Sequence, residues 1–253
     1  MIGQNATRDH ALTVHRGADR FATRTSWLDS RHCFSFGAHY EPTNTGHGRL
    51  LVSNDDIVLP GAGFDTHPHA DAEIVTWVLS GSLVHQDSQG NHGVIYPGLA
   101  QRMSAGAGIL HSERNDAYRL DPDRAADPVH FVQMWVRPDE PGTPPSYQQR
   151  ELEVADLRRG WLPVASGRHS DAVISIGSRG STLWVTRLGA DVRRELPVGD
   201  TVHLYVAAGE VDGEEVGRLR TGDSVRITGR TALSITGRAG SEPAEVLVWE
   251  MAR

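Results

Sequence analysis

The sequence predicts an all-β protein of two tandem antiparallel β-barrels, or jelly rolls, packed together. Three observations predict this class. Glycine (27) and proline (13) are frequent, which favours many short strands over long helices. Short runs rich in β-branched and aromatic residues recur along the chain, each closed by Gly, Pro, Asn or Asp. No window sustains an apolar period of 3.6 residues.

In the first half, strands are expected at 74–79, 83–86, 92–96, 108–114 and 130–136. Ser80-Gly81, Ser88-Gln89-Gly90-Asn91 and Pro97-Gly98 supply the turns between them. Gly61, Gly63, Gly81, Gly106 and Gly108 fit the sharp bends of a small barrel. The segment from Pro138 to Pro145 holds four prolines in eight residues and reads as the core of a stiff linker, about 138–149. Residues 1–140 are therefore expected to form an N-terminal barrel, and residues 141–253 a C-terminal one. A short helix is expected over 151–159. Strands in the second half are expected at 182–188, 202–208, 224–228, 232–236 and 244–249. The halves share a rhythm: Val78-Leu79-Ser80-Gly81-Ser82-Leu83 and Tyr205-Val206-Ala207-Ala208-Gly209-Glu210-Val211 each run strand, glycine turn, strand.

Composition excludes several functions. All 25 basic residues are Arg, so lysine Schiff-base chemistry and a Walker-type phosphate lysine are absent. The net charge of -7, with no basic block, argues against nucleic acid as a partner. The single cysteine, Cys33, rules out an intrachain disulfide and a multi-thiolate zinc site. No run approaches ~18 apolar residues, so no membrane span is expected. Met1 to Ala11 lacks the pattern of a signal peptide, and a cytoplasmic location is the default expectation.

Histidine, with 13 copies, is the abundant versatile side chain. His67-Pro68-His69 and His111-Ser112-Glu113 each place metal-ligand types at i and i+2. On a strand these point to one face, so two neighbouring strands could converge four ligands. Three imidazoles and a carboxylate suit Fe, Mn, Ni, Co, Cu or Zn without choosing among them. His10, His15, His39, His47 and His169 are expected at the surface. His85, His92, His130 and His203 are expected half-buried. His92 is the most relevant of these, because its hairpin lies between the two ligand segments.

Gly61-x5-His67-x-His69-x3-Glu73-x7-Gly81 resembles the first motif of the cupins. The run from Thr66 to Glu113 more specifically resembles the pirin family. It does so through His67-Pro68-His69, Glu73-Ile74-Val75-Thr76, Val78-Leu79-Ser80-Gly81, His85-Gln86-Asp87-Ser88-Gln89-Gly90-Asn91, Met103-Ser104-Ala105-Gly106-Ala107-Gly108-Ile109 and His111-Ser112-Glu113. Trp27-Leu28-Asp29-Ser30-Arg31-His32-Cys33-Phe34-Ser35-Phe36 is similar to the family's N-terminal signature. Gln133-Met134-Trp135-Val136 and Pro145-Ser146-Tyr147 are similar to the run into its interdomain linker. The likeness covers most of residues 26–150; the second half shares only a cupin rhythm.

The resemblance implies a bicupin with one metal in its N-terminal barrel, held by His67, His69, His111 and Glu113. The metal is usually iron, here Fe(II), and the C-terminal barrel is metal-free. Spacing agrees on the carboxylate: Glu73 lies about 13 Å along a straight strand from His69, whereas Glu113 lies about 6–7 Å from His111. Glu73 is then a residue supporting the ligands or a structural hydrogen-bond acceptor, and His92 is a second supporting candidate. Ala70 stands where relatives often carry Arg or Lys. Likeness to bacterial pirin-like quercetin 2,3-dioxygenases implies cleavage of a flavonol by O2 with release of CO. Glu113 is then both ligand and candidate general base. The alternative is a non-catalytic, metal- and redox-sensing regulator that binds a protein partner. A monomer is expected, since the two barrels can pack on each other.

Overall fold

The computed structural model describes residues 10–121, 126–240 and 242–252. Most of the stretch Met1–Ala11 therefore lies outside the described residues.

Two pairs of sheets build two cupin-type barrels. In the first, a seven-stranded sheet runs in the order Ser146–Glu151, Leu99–Ser104, Glu73–Ser80, Val129–Val136, Leu50–Val58, Leu28–His32, Phe21–Arg24. A four-stranded sheet accompanies it, in the order Gly63–His69, Ile109–Arg114, Leu83–Asp87, His92–Ile95. The second barrel repeats the plan. Its seven-stranded sheet runs Ala11–His15, Ser224–Thr228, Thr201–Ala208, Ala244–Met251, Ser181–Leu188, Leu162–Ser166, Ile174–Ser175. Its four-stranded sheet runs Arg193–Glu195, Ser234–Gly237, Glu210–Gly213, Gly217–Arg220.

The expected division at residue 140 does not coincide with sheet membership. Ala11–His15 pairs with Ser224–Thr228 in the second barrel, and Ser146–Glu151 pairs with Leu99–Ser104 in the first. Each half thus covers an exposed sheet edge of the other, which removes an unpaired row of backbone groups. Ser146–Gln149, expected as linker, is strand. The expected helix over 151–159 is reduced to one turn, Asp156–Arg159, because Glu151 still belongs to that edge strand.

Alternation on the large sheet of the first barrel divides two cores. Val75, Trp77, Val132 and Met134 join Tyr205, Leu247 and Trp249 in a core shared by both barrels. Ile74, Val78 and Phe131, from the opposite face, pack inside the first barrel. The shared core carries a buried polar tie. Trp77 Nε1 donates to Glu245 Oε1 at 2.6 Å, and Arg187 Nε donates to Glu245 Oε2 at 2.6 Å.

Candidate metal centre

His67 and His69 lie on the edge strand Gly63–His69, where Pro68 costs no ladder hydrogen bond between central strands. Pairing places His67 directly opposite His111, and places Glu113 opposite Phe64. Two steps on one strand thus match three on the other, a bulge that re-aims the side chains beside the site. Gly63 permits the crossing: a Cβ there would stand 2.3 Å from the Glu113 carbonyl oxygen.

The three imidazoles converge. Ring centroids are 4.8 Å apart for His67 and His69, 4.5 Å for His67 and His111, and 4.9 Å for His69 and His111. One ligand atom from each lies within 4.8 Å of the others. Glu113 falls in an overlapping group with His85 and His111, under the same limit of 4.8 Å. Its carboxylate is buried and accepts from Gln133 Nε2 at 2.7 Å and from Thr76 Oγ1 at 3.5 Å.

The donor chemistry fits a metal ion. His69 Nε2 and both ring nitrogens of His111 are buried without a protein partner. His67 Nδ1 donates to the Asp65 carbonyl at 2.7 Å, which leaves the lone pair on Nε2. Burial, reinforced by the neighbouring imidazoles, pushes the pKa of His69 down to about 4 and that of His111 to about 3. At neutral pH both rings are uncharged, the state in which imidazole binds a metal.

The two supporting candidates are placed elsewhere. Glu73 lies on the sheet face opposite Thr76; it accepts from Ser104 Oγ at 2.7 Å and turns toward Gly177 of the second half. It serves as a structural acceptor, because strand alternation takes it away from the imidazoles. His92 is exposed on the outer strand, with Nδ1 3.4 Å from the Gly90 carbonyl. His85 takes the position next to the centre: it is fully buried, 5.3 Å from His111 by ring centroid, and stacks on Tyr147. Asp87 Oδ2 accepts from its Nε2 at 3.2 Å. Other histidines also depart from expectation: His10, His15, His39, His47 and His169 are half-buried, and His203 is fully buried.

Sequence reasoning missed the polar floor of this barrel. Register sets His32, Asn54, Gln133, Thr76 and Gln101 side by side on the inner face. Asp56, also buried, has its carboxyl pushed up to about 7 by burial, with the charges of Asp55 and Glu113 adding and Ser30 opposing. The signal was present. Thr76 and Gln133 interrupt otherwise apolar strands, and His85-x-Asp87 repeats the i, i+2 spacing of the ligand pairs. Trp135 walls the centre, edge-on to His69 at 4.7 Å between ring centroids. A cavity of about 500 Å³ opens outside, lined by Pro68, His69, Ala70, Ser88, Ile109 and Leu110.

Comparison with known proteins places this arrangement. The Pirin family model matches residues 14–136. A relative from Mycobacterium tuberculosis is 54% identical over 241 residues, covering 95% of either chain. The Escherichia coli K12 protein named quercetin 2,3-dioxygenase is 34% identical, across 91% of this chain and 96% of its own. The solved structure of the bacterial pirin YhhW from Escherichia coli, in complex with nickel(II), superposes with a TM-score of 0.83 at 32% identity; the match covers 95% of this chain and 99% of that one. Sequence, barrel plan and relatives agree: the chain belongs to the pirin family.

Proposed function

We propose that the protein is a metal-dependent dioxygenase that opens the central ring of a quercetin-type flavonol with O2 and releases CO. The observation that carries this reading is the convergence of three imidazoles beside a buried carboxylate, under an open cavity. His67, His69, His111 and Glu113 would hold one divalent transition metal, Fe(II) on the family's usual preference. When bound, such an ion supplies Lewis acidity toward a substrate hydroxyl and a path for dioxygen chemistry. The N-terminal barrel, with the strand Ser146–Glu151 added to residues up to 140, forms the functional unit.

The remaining work falls to the chain. Leu110, Ile109 and Pro68 present apolar surface to a flat aromatic ring, and among the described residues no carboxylate or Arg lines that cavity. Ala70 keeps the entrance uncharged where relatives often carry a cation. Gln133 and Thr76 fix the Glu113 carboxylate from both oxygens. Among the described residues Glu113 Oε1 accepts only the long contact from Thr76, so it is the oxygen that would take the flavonol 3-hydroxyl proton. The names of the relatives support this substrate class.

The test loads the protein with Fe(II), Mn, Ni, Co or Cu under anaerobic conditions, then adds quercetin and O2. Flavonol loss with matching CO, abolished in His67→Ala, is the expected result. Stoichiometric metal binding with no CO from any of these ions would sink the dioxygenase reading. It would leave the metal-dependent regulator as the better account.

A further inference from the structure

The strand that carries His111 and Glu113 has a neighbour on each side, and both neighbours present ligand-type side chains. Pairing with Gly63–His69 sets His111 opposite His67. Pairing with Leu83–Asp87 sets Glu113 opposite His85 and His111 opposite Asp87. Residues directly opposite on paired strands share a sheet face, so His85 and Asp87 stand beside the imidazoles and Glu113.

Two overlapping groups of three result. The outer group is His67, His69 and His111; the inner group is His85, His111 and Glu113, all three buried. In each, one ligand atom per residue lies within 4.8 Å of the others. Ligand atoms around an ion held at about 2.0–2.2 Å stand roughly 3–3.5 Å apart, so a bare ion needs no separate cavity between them. Among the described residues, Glu113 joins only the inner group.

His85 has the surroundings of a ligand. Its Nε2 donates to Asp87 Oδ2 at 3.2 Å, and the Gln89 and Asn91 amides hold Asp87 Oδ1 at 2.9 and 3.0 Å. The lone pair is left on Nδ1, which is buried without a protein partner. One ring nitrogen on a carboxylate and the other open is the usual arrangement of a metal-binding histidine. Gln133 and Thr76 fix Glu113 in the same way. His111, the shared member, has neither ring nitrogen engaged. A neutral imidazole has one lone pair, so His111 serves one group at a time.

The groups also differ in chemistry. The outer one offers three imidazoles. The inner one offers two imidazoles and a carboxylate, the donor set of many non-haem Fe(II) sites, and its carboxylate suits Mn(II) better than imidazole alone. A buried divalent ion is also better compensated there, with Glu113 as ligand and Asp87 behind His85.

We propose that the barrel holds a second, inner position for its divalent ion, formed by His85, His111 and Glu113 and used in alternation with the outer three-histidine position. This rests on the metal-binding part of the reading above and not on flavonol cleavage. His69 borders the open cavity, whereas none of the inner three lines it. An ion in the inner position is therefore withdrawn from the place where a substrate would meet it.

The test adds Mn(II) to full-length His67→Ala/His69→Ala, using electron paramagnetic resonance of the free ion to count what is bound. Both replaced side chains lie on an edge strand and are only half-buried, and circular dichroism checks the fold. His67→Gln/His69→Gln, closer in size, is the second version. One equivalent of Mn(II) should still bind, and pulsed resonance of the bound ion should show two imidazole nitrogens. Adding His85→Gln or His85→Asn should weaken Mn(II) at least tenfold and reduce the count to one. Loss of all Mn(II) from a folded double variant overturns the inner position, as does an unaltered chain that binds none. Fewer than two imidazoles on the ion bound by the double variant, or unchanged affinity once His85 is replaced in a folded protein, overturns it too. Mn(II) bound without CO release from quercetin bears on the dioxygenase reading alone.

Discussion

Single residues decide the chemistry of the first barrel, and the informative ones sit where a strand breaks its own apolar pattern. Gln133 is the example: it lies in a buried strand yet donates to Glu113. Gln133→Leu should weaken metal binding roughly 10–100-fold with the fold retained, measured by metal titration and circular dichroism. Asp56 makes a pH prediction. Burial pushes its carboxyl up to about 7 in the folded chain, from the ordinary aspartate value of 3.8. The folded state therefore holds a proton between those values that the unfolded state has lost. The stability this proton provides is complete below about pH 4 and lost as pH rises through 7. Asp56→Asn should flatten the stability profile over this window and gain relative to wild type at pH 8, by at most about 4 kcal/mol. Chemical denaturation at pH 5 and pH 8 measures it; equal slopes for both proteins would refute it. The four proposed ligands were legible because i, i+2 spacing on a strand is local. His85, Gln133 and Asp56 were not, because their neighbours are set by pairing between strands distant in sequence.

Elements were legible in proportion to their local signal. Strands of branched and aromatic residues, such as Val129–Val136 and Ala244–Met251, are found within two residues of their expected bounds. Leu50–Val58 gave no such signal: its centre, Asn54-Asp55-Asp56, has the composition of a turn. In the fold it is a central strand, and its polar side chains are buried between His32, His130 and Tyr205. Ser146–Glu151 was hidden likewise, being a polar edge strand after a proline run. The crossing at Gly63 is an element-scale constraint on the metal centre. Gly63→Ala would push the edge strand from Glu113, costing about 1–3 kcal/mol in stability and reducing metal occupancy. Elemental analysis with thermal melting tests this, and full occupancy in the variant would contradict the crossing's role.

The two barrels should unfold as one cooperative body, since the core containing Trp77, Met134, Tyr205 and Trp249 belongs to both. A calorimetric scan should show a single unfolding transition; two separated transitions would show that the shared core is not limiting. Chain division should respect the edge strands rather than the proline run. A fragment ending at Pro145 lacks the cover for Leu99–Ser104, whereas one ending at Glu153 keeps it and should be the more soluble.

The pairing of Ala11–His15 with Ser224–Thr228 has a consequence for synthesis. The partner is made roughly 210 residues later, or roughly 10–40 s at ~5–20 residues per second on the ribosome. The earliest described strand of the nascent chain is thus among the last to find its place. Until then Leu12 and Val14, which pack against the second core, have nothing to cover them. That interval is when a chaperone would have something to hold.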